Sequence, residues 1–452
     1  MKYRYRNDDE FKVVKWDKIP KSWKYSKAQY YFDVFAGGTP STNNLDYWNG
    51  DIPWINSGEV QNCLVKNISR YITEKGLKES STKLIKKDTV LLAMTGATCG
   101  NVGYLTFEST ANQSVMAFIP KKKFIDKFLY YYLMCQEYQI EYYKTGGAQG
   151  GINVDNGKKI YINIPSVIEQ EKIANFLDEK TSQFHLIISK KEELIKKLEE
   201  AKKSLISEVV TGKVNVVKTD DGYELVKRSS EEMKDSGVEW LGEIPKDWEV
   251  KKFKYLLSKI GSGKTPKGGS EVYQDKGVIF IRSQNVHNTG LRLDDVVYIS
   301  HEADEEMKSS RVQNKDVLLN ITGASIGRTS IFEFDNLNAN VNQHVCILRP
   351  KTNNILPTLL NKIIQSDYIQ EQIQSMQTGS SREGLNFEQI GNMSLVISED
   401  IKIQESVDMC LDEKINNMNA IINKTKIQIN KLKEAKQSLI SEAVTGKIEI
   451  LD

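Results

Sequence analysis

The residues best suited to chemistry stand in a few places. Gly261-Ser262-Gly263-Lys264-Thr265 has the Gly-Lys-Thr ending of a phosphate-binding loop, whose backbone amides and lysine cradle phosphates. That loop needs a glycine five residues before Gly263, where the chain has Ser258, and a helix where it has Pro266. Gly96/Gly100 and Gly323/Gly327 follow apolar runs, as the glycines of a methyl-donor pocket do. Such a pocket requires a tighter glycine pattern and an acidic ribose partner beyond the next strand. The chain has no Pro-Pro pair, so it lacks the Asn-Pro-Pro-aromatic motif of adenine methyltransferases. The cysteines at 63, 99, 135, 346 and 410 form no Cys-x-x-Cys pair, and the histidines at 185, 287, 301 and 344 fall at no ligand spacing. No catalytic residue and no metal site are expected.

Composition narrows the class without choosing a function. The chain has 452 residues, enough for two or three domains. Its formal charge is 62 − 60 = +2, with 27% charged and 39% hydrophobic residues, which excludes a disordered acidic or basic tail protein. A footprint for nucleic acid must then be local. Met1–Glu10 has no apolar core region, and stretches such as Phe128–Cys135 are too short to span a bilayer. The unpaired cysteines fit a reducing compartment, so a cytoplasmic chain away from membranes is expected.

The chain is written twice. KLEEAKKSLISEVVTGK from Lys197 and KLKEAKQSLISEAVTGK from Lys431 agree at 14 of 17 positions. VLLAMTGATCG from Val90 pairs with VLLNITGASIG from Val317, and Asn112-Gln113 with Asn342-Gln343. Ile19-Pro20-Lys21-Ser22-Trp23 pairs with Ile244-Pro245-Lys246-Asp247-Trp248. The bodies diverge more than the ends: Ile52–Val60 and Val278–Val286 share only 3 of 9 positions. The ends therefore do one job twice, while each body reads something different. Cys99, Cys346 and Cys410 pair with Ile326, Met116 and Phe176, so these thiols are core fillers. His344 pairs with Ser114 and His185 with Asn419, which argues against a shared catalytic imidazole.

These landmarks need elements to hold them. Short β-rich runs at 90–94, 115–119, 160–164, 279–282, 317–321 and 345–348 are bounded by turn residues, and helical stretches follow at about 125–144 and 356–376. Each copy is thus mixed α/β. Each ends in a long helix whose apolar residues recur at three- and four-residue steps. In the first helix these are Phe184, Ile187, Leu194, Leu198, Ala201 and Leu205; in the second, Met418, Ile421, Leu432, Ala435 and Leu439. Lys191, Thr425 and Gln428 interrupt the seam, and Gly212 and Gly446 are the C-caps. Two such stripes in one chain favour pairing with each other. Parallel pairing sets the bodies side by side, and antiparallel pairing sets them at opposite ends. A helix of roughly 30 residues is about 45 Å long, against about 34–36 Å for one turn of B-DNA.

The paired Ile-Pro-Lys-x-Trp segments, Gly37–Ser41, the Thr-Gly-Ala turns (Thr95–Ala97, Thr322–Ala324) and the Leu-Ile-Ser-Glu-x-Val-Thr-Gly-Lys helix ends resemble the specificity subunits of type I restriction–modification systems. Trp16–Pro20 is one residue shorter than Trp240–Pro245, a departure at the domain start. The resemblance implies two target recognition domains, 1–165 and 236–398, and helical spacer regions, 166–213 and 399–452, forming an antiparallel coiled coil, with a linker at 214–235. It implies a non-catalytic reader of an asymmetric, two-part double-stranded DNA target. Two methyltransferase subunits and the restriction subunits would be its partners, and S-adenosylmethionine and ATP would bind only on them.

Major-groove reading uses Arg for guanine, Asn or Gln for adenine, and Ser or Thr for either. Candidates in polar turns at strand ends are Ser41, Thr42, Asn43, Asn56, Glu59, Asn112, Gln113 and Gln149 in the first body. In the second they are Lys267, Arg282, Gln284, Asn285, Arg328, Gln343, His344 and Arg382. Lys121–Lys123 and Lys158-Lys159 are candidates for phosphate contacts, which position rather than specify. Two alternatives belong to other classes: a self-sufficient methyltransferase or nuclease, and a coiled-coil scaffold without a DNA role.

Overall fold

The computed structural model describes residues 2–146, 150–377 and 384–451. The chain forms two compact units, Met1–Glu192 with Ile427–Asp452, and Glu193–Lys426. Each takes one body, part of its own long helix and part of the other repeat's helix. Among the described residues, no helix is long and apolar enough to cross a membrane.

In the first unit a five-stranded sheet runs in the order Phe32–Ala36, Val115–Pro120, Val90–Ala93, Val102–Leu105, Cys63–Val65. Its pairings are antiparallel except the last, which is parallel. In the second unit the corresponding sheet is Leu257–Ser262, Val345–Pro350, Val317–Asn320, Thr329–Ile331. These strands are nearly continuous apolar runs because both faces are covered. The helices of the body cover one face, and a smaller three-stranded sheet flanks the other; in the first unit it is Thr110–Ala111, Trp48–Ile55 and Tyr71–Ile72.

The single helices expected at 125–144 and 356–376 are each broken in two: Asp126–Leu133 and Glu137–Tyr143, then Pro357–Ile364 and Asp367–Ser375. A glutamine on the later piece explains the turn. Gln139 Oε1 accepts from Tyr161 N at 2.9 Å and its Nε2 donates to Tyr161 O at 3.0 Å. Gln372 makes the same two bonds to Ser394 N and O, both at 2.9 Å. An unbroken helix would carry this amide away from the strand edge it satisfies.

The long helices are α1 (Val167–Val210) and α2 (Ile401–Val444), 44 residues each. At 1.5 Å per residue that is about 66 Å, longer than expected, because their first turns belong to the bodies. Ile173, Phe176 and Leu177 lie in the core of the first body, and Val407 and Leu411 in that of the second. Gln170 and Gln404 fasten these turns: each carboxamide oxygen accepts a body amide, Ile125 N at 2.9 Å and Leu356 N at 3.1 Å.

Within each unit the helices run antiparallel. In the first, Lys436 Nζ lies 3.1 Å from His185 Nε2 and Lys191 Nζ 2.7 Å from Gln428 Oε1, one number rising as the other falls. In the second, Lys202 Nζ donates to Asn419 Oδ1 at 3.1 Å, while Val210 lies with Val407. The seam is shifted from the expected stripe. Ile187 (44% exposed), Leu194 (44%) and Ile421 (49%) point outward, as do Ala201 and Ala435. Phe184, Leu198, Leu205, Met418, Leu432 and Leu439 are half-buried. Buried instead are Ile188 and Ile429 in the first unit, and Ile422 and Thr425 in the second. Thr425 fits because its hydroxyl bonds back to Ile421 O at 2.8 Å.

Both helices end in the same packing. Gly212 and Gly446 have φ of +69° and +77°, the left-handed cap conformation. A side chain on Gly446 would strike Pro20 and Trp23, and one on Gly212 would strike Pro245 and Trp248. The Ile-Pro-Lys-x-Trp segment of each body is thus the seat for the end of the other repeat's helix. Beyond the caps, Ile448–Ile450 pairs antiparallel with Tyr3–Tyr5, and Val214–Thr219 with Gly222–Lys227. The second pair is a hairpin within 214–235.

Candidate nucleic-acid interface

Two of the chemical candidates are explained by packing. The glycine that precedes Lys264 is required by a close approach: a side chain at Gly263 would overlap the Val341 carbonyl, and one at Gly37 the Ala111 carbonyl. No helix starts after Lys264; the next element is a short 3-10 turn, Gly269–Val272. The turn therefore wedges against the sheet and lacks the helix start on which a phosphate-binding loop depends. Cys346 and Cys410 are buried, and burial pushes the Cys346 thiol up to about 12, against a thiolate. Cys135 is held at about 12 for the same reason. Among the described residues, no group of acidic, histidine and cysteine side chains has the arrangement of a metal site.

Several proposed base readers prove to hold their own turns. Asn56 Oδ1 accepts Gly58 N at 2.8 Å, and Glu59 returns to Asn56 N at 2.9 Å and to Ser69 N at 2.8 Å. Asn112 Oδ1 accepts Ser114 N at 3.0 Å, and Asn342 does the same for His344 N at 3.1 Å. Asn285 is 1% exposed and bonds Arg282 N, Arg292 O and Asp295 O. Asn and Glu are favoured in such turns for the hydrogen-bonding capacity that also suits them to bases.

The remaining candidates are accessible. Ser41, Thr42 and Asn43 are exposed on the loop before Leu45–Tyr47. Gln113 is held by the Thr39 hydroxyl, and Gln343 by Thr265 Oγ1 at 2.6 Å, the same contact in both bodies. Gln284 Nε2 donates to Asp295 Oδ2 at 2.9 Å, and Arg282 lies over the Tyr273 ring. Lys267 is almost fully exposed, with Glu306 at 3.5 Å. Arg328, Gln284 and His344 line one concavity, whereas Lys267 lines another. Gln149 and Arg382 lie outside the described residues. The lysine runs are partly engaged: Lys121 with Asp33 at 2.9 Å, Lys158 with Asp155 at 3.2 Å. Asn101, the repeat partner of Arg328, escaped the sequence reading, although aligning the two Thr-Gly-Ala turns points to it.

The arrangement offers polar turns on two separately built bodies, a kind of surface that can contact nucleic-acid phosphates and base edges.

Comparison with known proteins agrees. The specificity subunit of the MjaIX type I restriction enzyme of Methanocaldococcus jannaschii is 28% identical over 99% of this chain and 98% of that protein. The EcoR124I/EcoR124II specificity subunit of Escherichia coli is 31% identical over a shorter stretch, 32% of this chain and 37% of that protein. A chain from a solved type I restriction–modification system, studied for complex assembly and conformational transition, has the same fold. Its TM-score is 0.70 at 13% identity, covering 95% of this chain and 99% of that one. The model of the type I restriction modification DNA specificity domain matches twice, at residues 20–197 and 245–431, and the chain belongs to that family.

Proposed function

We propose that this chain is the specificity subunit of a type I restriction–modification complex. It binds double-stranded DNA at two unlike half-sites and directs adenine methylation or cleavage by partner subunits. Residues 1–165 and 236–398 are the two target recognition domains, 166–213 and 399–452 the spacer regions, and 214–235 the link between repeats. The observation that carries this reading is uneven divergence on a common frame. The helix ends agree at 14 of 17 positions, and the Thr–Gln contact and glutamine clamp recur in both bodies. The polar turns around that frame differ. Two like ends suit two like partners, the modification subunits, and two unlike bodies suit two unlike DNA sequences. Restriction subunits join the same complex, and S-adenosylmethionine and ATP are bound by the partners. The setting is the cytoplasm, where the host DNA is.

The test is a map of methylated adenines in host DNA with and without this chain. Two unlike motifs at a fixed gap should vanish together when it is deleted. Lengthening α1 and α2 by whole turns should change the gap and leave both half-sites intact. An altered half-site at an unchanged gap would refute the spacer role.

A further inference from the structure

The two bodies share a frame and differ in what fills it. In the second, a concavity of about 410 Å³ opens among Ser283, Gln284, Thr322, Ser325, Arg328 and His344. The repeat sets Ser57, Gly58, Thr95, Thr98, Asn101 and Ser114 at the same places. Three hydroxyl positions are retained, and three change: Gly58/Gln284, Asn101/Arg328 and Ser114/His344. Within this concavity, a difference in what is read has to come from the changed positions.

Two of the three changed side chains already have partners, His344 at both ring nitrogens and Gln284 at one amide hydrogen. His344 Nδ1 lies 2.5 Å from Thr322 Oγ1, and its Nε2 lies 3.0 Å from Gln343 Nε2. An amide N–H donating to Nε2 leaves the ring proton on Nδ1, donating to Thr322. Gln343 Oε1 in turn accepts from Thr265. Three turns are stitched by this chain of bonds, and neither ring nitrogen is left for a base. Gln284 gives an amide hydrogen to Asp295. Arg328 is exposed, and its guanidinium has no hydrogen bond or ion pair among the described residues. Other arginines of this body are spent internally: Arg311 on Asp304 and Glu305, and Arg349 on Asp316. Arg292 is exposed but lies outside the concavity.

We propose that Arg328 reads a guanine in the half-site of the second body, and that His344 is a positioning residue for the turns around it. The proposal rests on the reading of the chain as a DNA specificity subunit. A guanidinium presents two parallel N–H donors that match guanine O6 and N7, a pairing no other base edge offers in the major groove. Asn101 has no such fork, so the first body does not read that base in that place.

The test maps methylated adenines for the full complex carrying wild-type chain, Arg328→Ala, Arg328→Asn, His344→Ala or His344→Asn. For Arg328→Ala, one guanine position of one half-site should lose preference by roughly 5- to 150-fold. The other half-site and the gap should stay unchanged. Arg328→Asn should move preference at that position toward adenine. His344→Ala should loosen the same position, and His344→Asn, which keeps a polar atom for Thr322, should restore it. If Arg328→Ala methylates too little to map, Arg328→Gln is mapped instead and the same results decide. A half-site that keeps every preference without Arg328 overturns the assignment alone. A wild-type complex with no two-part motif overturns the specificity reading itself.

Discussion

Lys362 Nζ lies 2.6 Å from Asp408 Oδ1 and 2.7 Å from Asp412 Oδ1, tying the helix Pro357–Ile364 to α2. The first body makes the same junction with the lysine one turn earlier: Lys127 and Tyr131 hold Asp178, the repeat partner of Asp412. Lys362 and Asp408 are both buried, so removing one partner strands a charge in an apolar setting. Lys362→Met should therefore cost about 3–5 kcal/mol, and adding Asp408→Leu should recover most of it. Urea denaturation of the two variants checks this; a double variant no better than the single one would show that the pair is not the cause.

Gly446→Ala combines a left-handed backbone with a collision against Pro20 and Trp23. The conformation alone costs roughly 1–2 kcal/mol, and the overpacking adds to it. A lower Tm is expected, and the matching Gly212→Ala should behave alike because it meets Pro245 and Trp248. An unchanged Tm in either variant would mean that the helix end is not seated as described.

Asp126 gives a pH signature. Burial, with Asp88 nearby, pushes its carboxyl up from the usual range to about 7, and its Oδ1 has no hydrogen-bond partner among the described residues. The folded pKa exceeds the unfolded one, so the folded state binds the proton more tightly. The stability this contributes is complete below about pH 4 and is lost as pH rises toward 7. Asp126→Asn should flatten that decline and raise Tm above pH 7 relative to wild type. Parallel melting curves at pH 5.5 and 8 would expose the difference; identical slopes would exclude it.

Asn285→Ala separates a turn-holder from a reader. The substitution removes the buried Asn285 carboxamide with its hydrogen bonds to Arg292 O and Asp295 O and should cost about 1–3 kcal/mol. Base preference in surviving complexes should be retained. A relaxed half-site with unaltered Tm would reverse the assignment.

The repeat made the architecture legible, because two diverged copies mark which landmarks the fold retains. Helix length and seam were less so. Burial of Ile173 and Phe176 under the first body continues α1 beyond the expected stripe. Lys191, Lys202 and Lys436 lie partly in the seam with aliphatic stems inward and polar tips bonded across it, so hydrophobic letters alone misplace the register. Among the candidate readers, Asn56, Asn112 and Asn285 could not be told from turn residues by type. Only their partners distinguish the two roles.

The strand pair Tyr3–Tyr5 with Ile448–Ile450 has one further consequence. Tyr5 faces Ile448 as Lys227 faces Val214, its repeat counterpart. In one unit this ladder is continuous through a tight turn, and in the other its two strands come from opposite ends of the sequence. The same ladder is thus closed by chain connection in one unit and by pairing alone in the other, so cutting the turn at Asp220-Asp221 should leave the second unit's strands held as the first unit's already are.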